Sequence, residues 1–369
     1  MMSWWVIYIG IMLTAVGVTV ILTPLCRSWA FRSGFLDYPL GEHHKQHPES
    51  TPLLGGLAMM LAWLITLFGG LALAHLAVEH LNPELAQQMQ GIPNVFSRLA
   101  TLAGGAVFLC IMGIIDDRHQ LGPFRKFGCQ IVVCGIVALA PELRVSMFAT
   151  YPMMSWLLTV LWFVFIINAF NFFDNMDGLA SGLAVIASCL FGLTAALQQQ
   201  YYVASLGAVT AGTALGFYIY NRYPASIFMG DAGSHFLGFL LSALATLTIF
   251  HRSDSTSTVA AWLIPVFILA LPIFDTFAVI LIRLRAGKPI YYGDHNHISH
   301  RFIRMGFDQP TAVLLVHLLA LSLGLGAVLL IWLPTAPTII VLVQSLVILL
   351  LVSILHHRGT NMTTEQEND

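Results

Sequence analysis

Charge is what this chain has least of. Only 9% of its 369 residues are Asp, Glu, Lys or Arg, while 57% are hydrophobic. A soluble domain carries about 25% charged residues, so a water-soluble protein of several domains is excluded. The net charge is −2, with no basic stripe along any segment. That argues against binding nucleic acid, where phosphate neutralisation needs clustered Lys and Arg. Cysteine is also scarce. Cys110, Cys129, Cys134 and Cys189 fall inside apolar runs, and Cys26 follows the first run. None has C-x-x-C spacing, so neither a disulfide framework nor a zinc ribbon is supported. The zinc-protease pattern H-E-x-x-H is absent, as is any Ser-His or Cys-His pair at motif spacing. Met1 to Trp5 lack the positive stretch that opens a cleaved signal peptide, so the first apolar run is read as a retained span. No internal repeat is evident.

What is present is a series of apolar runs of about 17–25 residues, the length that crosses a bilayer as a helix. They predict an all-α polytopic membrane protein with about eleven transmembrane helices. The spans are placed near 4–24, 52–74, 98–115, 127–141, 154–172, 179–197, 203–220, 234–250, 259–282, 311–333 and 337–355. Residues 1–358 form one transmembrane catalytic domain, and 359–369 form a polar, disordered tail. With the N-terminus outside, the inner side collects Arg27, Arg32, Lys45, Arg118, Arg125, Lys126, Arg222, Arg283, Arg285, Lys288, Arg301, Arg304 and Arg358. The outer side holds only Arg98, Arg144 and Arg252. The positive-inside rule therefore orients the chain with its C-terminus in the cytoplasm.

The same map brings the acids to the inner face. Asp116-Asp117-Arg118 ends the third span. Two adjacent carboxylates beside lipid are costly unless paired, hydrated or metal-bound. Near a helix C-terminus they also oppose the macrodipole, so a compensating cation is expected. Asn168, Asn171, Asp174 and Asp177 recur every third residue at the end of the fifth span. That spacing predicts a polar ridge on a helix, with Gly178 suited to the turn that follows. The bland alternative for the two asparagines is helix–helix glue.

Asn221 opens the next inner loop, which contains Phe228-Met-Gly230-Asp231-Ala-Gly233-Ser234. Its glycines let backbone approach a ligand, or Asp231 caps the next helix. The longest inner loop, 283–310, carries Asp294-His295-Asn296-His297-Ile-Ser299-His300-Arg301. Its histidines and arginine can bond phosphate oxygens, although imidazoles also suit zinc. Asp275 lies inside the ninth span, where an acid is either functional or structurally paired. The first inner loop holds His43-His44-Lys45-Gln-His47, then Pro52 and Gly55-Gly56. It is basic enough to meet an anionic headgroup.

Several acids, amide donors and a basic loop suit phosphoryl transfer, in which positioning and charge neutralisation by Mg²⁺ carry most of the catalysis. Oxygen-rich sites favour Mg²⁺ over zinc. The membrane setting implies a lipid substrate.

Five motifs in order carry a resemblance. They are Lys45-x-His47 with Pro52-x-x-Gly55-Gly56; Asp116-Asp117; Asn168-x-x-Asn171-x-x-Asp174-x-x-Asp177-Gly178; Phe228-Met-Gly-Asp231-Ala-Gly-Ser234; and Asp294-x-x-His297-x-x-His300-Arg301. Together they resemble the bacterial polyprenyl-phosphate N-acetylhexosamine-1-phosphate transferases, relatives of phospho-MurNAc-pentapeptide translocase. The resemblance implies attack by undecaprenyl phosphate on the β-phosphorus of a UDP-N-acetylhexosamine, with GlcNAc the favoured sugar. UMP leaves, and the product opens synthesis of O-antigen, common antigen or another surface polysaccharide. It implies Asp231, Asp174 and Asp117 at the metal, which is Mg²⁺ with Mn²⁺ as an admissible substitute. Asp116, Asp117, Asp174 and Asp177 are then catalytic. Lys45, His47, Lys126, Asn168, Asn171, Asn221, Phe228, His297, His300 and Arg301 bind substrate, with Phe228 stacking near uracil.

The implied setting is the bacterial inner membrane with the site facing the cytoplasm, and a homodimer is compatible with it. A phosphate monoester has a second pKa of about 6. The lipid nucleophile is therefore mostly dianionic at neutral pH, and Asp116/Asp117 are expected to position rather than to remove a proton.

Two departures stand out. Ser299 replaces a histidine of the family's Asp-x-x-His-x-His-His-Arg pattern, and Glu42-His43-His44 stands where Arg-Lys is common. The peptidoglycan relative's run of three histidines before Phe-Glu is missing, which argues against a MurNAc-pentapeptide donor. The main non-enzymatic alternative is a transporter, but transporter sites lie near the midplane between repeats.

Overall fold

The computed structural model describes residues 4–37, 50–76, 92–146, 150–248, 258–290 and 296–366. Its helices, in chain order, are α1 (Trp4–Ser33), α2 (Gly55–Leu76), α3 (Ile92–His119), α4 (Pro123–Val137), α5 (Pro152–Phe173), α6 (Leu179–Leu197), α7 (Tyr201–Asn221) and α8 (Gly230–Leu247). They continue with α9 (Thr258–Ile268), α10 (Ala270–Arg285), α11 (Ile298–Arg304), α12 (Gln309–Leu329) and α13 (Thr335–Gln366). One small ribbon pairs β1 (Leu36–Asp37) antiparallel to β2 (Thr51–Pro52), with Leu36 opposite Pro52.

Every predicted span is helical in the main, but not every one meets the length and apolarity of a crossing. Among the described residues eight helices are long and apolar enough to cross a membrane, or nine if α9 and α10 make one span bent by 74°. The break falls at Leu269, three residues before Pro272. That proline has no N–H and its ring crowds the carbonyl four residues back. Two predicted spans fail the test for different reasons. Helix α4 has only 15 residues, and α8 opens on the polar turn Gly230–Ser234. Multiple apolar helices make this a multi-pass membrane protein. Helix α13 continues to Gln366, through most of the segment expected to be a disordered tail.

The architecture centres on α8. Fifteen of its 18 residues are buried, from Ala232 to Leu247, and α2, α3 and α5 pack around it. Lipid tails are as apolar as leucine, so close van der Waals contact rather than the hydrophobic effect holds these helices together. The sequence supplies small residues at each crossing. A Cβ at Gly56 would run into the Gly233 backbone, and one at Gly113 into Ala232. A Cβ at Gly238 would sit 2.8 Å from the Ile167 Cα. Phe163, Phe170, Phe236 and Phe239 fill the remaining space with almost no exposure. By contrast α1 and α13 show Leu13, Ile21, Leu25, Ile340 and Leu350 outward, as helices facing lipid do.

These crossings give a paired expectation. Gly113→Ala should destabilise the detergent-solubilised protein by about 1–3 kcal/mol through overpacking. Gly104→Ala, on the same helix but with nothing within 4 Å, should leave the thermal midpoint unchanged. Equal midpoints for the two variants would refute the close-packed α3–α8 crossing.

Candidate active site

The polar residues converge where α3 ends and α4 and α8 begin. Pro123 occupies the first turn of α4, where its missing N–H costs nothing. The helix therefore starts four residues before the predicted span, and Lys126 lies in its first turn rather than in a loop. Helix α8 likewise starts at Gly230, earlier than the predicted 234, so Asp231 sits in its opening turn. Met229 holds the cap position with no side-chain cap bond, which sets aside Asp231 as an N-cap.

The orphan N–H groups at that helix start are met by another helix. Asp231 N–H donates to Asp117 Oδ1 at 2.8 Å, and Ala232 N–H to Asp117 Oδ2 at 3.3 Å. A carboxylate suits the positive end of a helix. Gly230 makes the approach possible. Its φ is +65°, and any Cβ there would collide with the Asp117 carboxylate.

Beside this contact, Lys126 Nζ lies 2.8 Å from Asp116 Oδ2 and also pairs closely with Asp231 Oδ2. Asp231 Oδ1 accepts from Asn171 Nδ2 at 2.7 Å, and the same amide lies 2.9 Å from Ser234 Oγ. Asp116 Oδ1 accepts the Leu121 N–H at 2.7 Å, fixing the turn between α3 and α4. Asp116 and Asp231 thus share one ammonium, while Asp117 is met by backbone N–H groups. Among the described residues no three acids, histidines or cysteines stand together closely enough to hold a metal ion as they are placed. The donors that gather here are all oxygens, the chemistry of a hard cation such as Mg²⁺ or Mn²⁺ and not of zinc. The ammonium of Lys126 supplies the positive charge between Asp116 and Asp231.

The ridge expected over 168–177 is only half helical. Helix α5 stops at Phe173, and Asp174 takes a non-helical φ,ψ of −80°, 61°. The chain then turns through Gly178, whose φ is +76°. Asn168 and Asn171 share the helix; Asp174 and Asp177 line the turn. An acid at a helix C-terminus is disfavoured by the macrodipole, which helps explain the early stop. Burial first, then the charges of Asp231 and Asp177, pushes the Asp174 carboxyl up to about 8.

Three of the sequence candidates are engaged elsewhere. Asn168 Nδ2 lies 2.5 Å from Gln130 Oε1 and 2.7 Å from Val164 O, a turn deeper than Asn171. Asn221 spends both ends of its amide on the fold. Its Oδ1 accepts from Gly178 N–H and Ser181 Oγ, and its Nδ2 donates to Ile227 O. Asp177 is buried and accepts the Ala225 N–H at 2.9 Å. These residues hold the loops that carry the site.

The Phe228 backbone stitches its loop to the first inner segment. Phe228 N–H donates to Pro52 O, and Phe228 O accepts from Gly55 N–H. Lys45 and His47 lie outside the described residues, as do Asp294 and His295. His297, Ser299 and Arg301 are buried around α11. Ser299 Oγ donates to Asn175 Oδ1 at 2.6 Å, bringing the histidine helix beside the Asp174 turn.

Sequence reasoning passed over Gln130, Asn175 and His235. Gln130 lies four residues after Lys126, and His235 four after Asp231, both fully buried. A polar residue one turn along from a site residue, inside an apolar run, was the available signal.

Comparison with known proteins places this arrangement. The model of glycosyl transferase family 4 matches residues 99–249, which span every site acid from Asp116 to Asp231 but not the histidine helix. A Bacillus subtilis relative is 32% identical over 84% of this chain and 81% of its own length. It is named a probable undecaprenyl-phosphate N-acetylglucosaminyl 1-phosphate transferase. A Mycolicibacterium smegmatis relative, 31% identical over 93% of this chain and 87% of its own length, is a decaprenyl-phosphate N-acetylglucosaminephosphotransferase. A Salmonella typhi relative is 28% identical over 84% of this chain and 80% of its own length. Its name is undecaprenyl-phosphate alpha-N-acetylglucosaminyl 1-phosphate transferase.

Two outcomes follow from the charge arrangement. Lys126→Met should lower stability by about 1–3 kcal/mol, less than for a fully buried pair because both partners are partly exposed. An unchanged thermal midpoint would contradict the tether. The raised Asp174 carboxyl favours the folded state at low pH and loses that contribution as pH rises through about 8. The midpoint should therefore fall from pH 6 to pH 9, and Asp174→Asn should flatten the fall. A variant with the wild-type slope would remove Asp174 as the cause.

Proposed function

This chain belongs to glycosyl transferase family 4, and from that premise we propose that it transfers N-acetylhexosamine 1-phosphate from a UDP-sugar to undecaprenyl phosphate. The observation that carries the reading is the meeting of Asp116, Asp117, Lys126, Asn171 and Asp231 at one end of the helix bundle. The names of the relatives support a polyprenyl phosphate acceptor and a GlcNAc-1-phosphate donor group. The excess of Lys and Arg on one side of the sequence-derived map supports an inner-membrane site facing the cytoplasm, with the N-terminus outside and eleven crossings in all.

In this reading an oxygen of the lipid phosphate attacks the β-phosphorus of the UDP-sugar. The new O–P bond forms as the bond to the bridging oxygen breaks, and that oxygen leaves with UMP. Asp231, Asp117 and Asp174 would hold Mg²⁺, which supplies neutralisation of the diphosphate charge. Asp117 also holds the start of α8, so it fixes the direction in which Asp231 points. Asn171 fixes the Asp231 carboxylate through Oδ1. Lys126 neutralises Asp116 and Asp231 before substrate arrives and would then contact an entering phosphate. Because the lipid phosphate is already ionised near neutral pH, Asp116 and Asp117 act by position and field. A transporter reading has less support, since the polar groups gather at helix ends rather than midway along the helices.

The purified protein should release UMP from UDP-GlcNAc when given undecaprenyl phosphate and Mg²⁺. Chelation should stop turnover, and Asp231→Ala should lower kcat at least 100-fold, the scale of losing a main electrostatic contact. Equal activity across all UDP-sugars, or full activity of the Asp231 variant, would defeat the assignment. Raising pH should not rescue Asp117→Asn.

A further inference from the structure

The reaction just described leaves one buried acid without a task. Asp275 lies within α10, only 1% exposed. Its Oδ2 is 2.6 Å from His297 Nδ1, and its Oδ1 accepts the Ile298 N–H at 2.8 Å. One carboxylate thus grips both the imidazole that begins α11 and the first backbone N–H of that helix. Both side chains of the pair are nearly dry, at 2% and 5% exposure. An ion or hydrogen bond so placed is not a screened surface contact, and removing one partner leaves the other stranded.

The far side of α11 is tied as well. Ser299 Oγ donates to Asn175 Oδ1 at 2.6 Å, and Asn175 Nδ2 donates to Phe172 O at 3.0 Å. The Arg283 guanidinium, buried on α10, lies 5.3 Å above the Phe172 ring. Helix α11 is therefore clamped between α10 and the end of α5, next to the Asp174 turn. Ser299 serves as a latch between the histidine helix and the acid-bearing turn.

The grip on His297 has a chemical consequence. An imidazole has two nitrogens with different jobs, and the partner of one decides what the other presents. We propose that Asp275 is the positioning residue of His297: it takes Nδ1 and so turns Nε2 toward the phosphate oxygens of the nucleotide diphosphate. The inference rests on the transferase reading above for the identity of that ligand. It deepens the reading by dividing the histidine loop into an oriented contact and the clamps that orient it. His297 meets substrate through a single atom. Asp275 never touches substrate.

Asparagine and glutamine separate the two nitrogens, because their amides reach the positions of Nδ1 and Nε2 respectively. His297→Gln should retain about tenfold more kcat/KM, and about tenfold tighter UDP binding by calorimetry with Mg²⁺, than His297→Asn. Asp275→Asn should lower both quantities about 10–100-fold, as lost outer contacts to a site histidine do. In the His297→Gln background the same change should cost less than about threefold, since the two residues act as one unit. Equal losses in both backgrounds would show that Asp275 acts through the fold alone and would overturn the proposal. So would a His297→Asn protein as good as His297→Gln. Should Asp275→Asn fail to fold, the Gln–Asn comparison decides by itself. Calorimetry with UDP needs no turnover. Normal UDP discrimination without UMP release would therefore sink the functional reading and leave the positioning role standing. Normal turnover without discrimination would do the reverse.

Discussion

The Asp117 carboxylate on the first N–H groups of α8 is the contact on which the rest of the site depends. It joins the last turn of α3 to the first turn of the central helix. A helix start buried in protein has donors that water cannot reach, and leaving them unmet is costly. Asp117 meets two of them and places a negative charge at the positive end of the helix dipole. The same contact fixes the direction of Asp231, and through Asp231 the positions of Lys126 and Asn171. Gly230 is the enabling residue, because any side chain there would occupy the carboxylate's space.

Around that contact the protein gathers more carboxyl groups than it has cations to pair. Lys126 serves Asp116 and Asp231, while Asp117 leans on backbone N–H groups and Asp174 stands nearby with its carboxyl pushed up to about 8. An arrangement of oxygens with too little positive charge is poised for a cation and for the phosphates a cation brings. The apolar bundle holds it there. Small residues let α2, α3 and α5 close on α8, so acids from segments distant in the chain end at one level.

Much of this was legible in the sequence. Apolar runs located every major helix, and the acids that end or begin those runs are ones the structure brings together. The differences lie at helix ends. The three-residue spacing from Asn168 to Asp177 reads as one helical face, yet the chain leaves the helix at Asp174. The sequence reads Lys126 as a phosphate contact, and the structure adds a pairing with two carboxylates that the sequence does not show. Asn221 reads from the sequence as a substrate contact, and its amide is taken up by Gly178, Ser181 and Ile227. Local pattern reports which groups are polar. It does not report which neighbour, distant in sequence, satisfies each one.

The sequence by itself determined that the chain enters a membrane, which runs become helices, and that acids and histidines collect beyond their ends. Those outcomes follow from hydrophobic length and local backbone preference, which are properties of a short stretch of chain. Only the tertiary structure decided that Asp117 holds α8, that Lys126 bridges Asp116 and Asp231, and that Asp275 grips His297. Each of these pairs joins residues carried by different helices. Their partnership is set by how glycine-lined helices cross and at what depth their ends arrive, and no local stretch of sequence encodes that geometry.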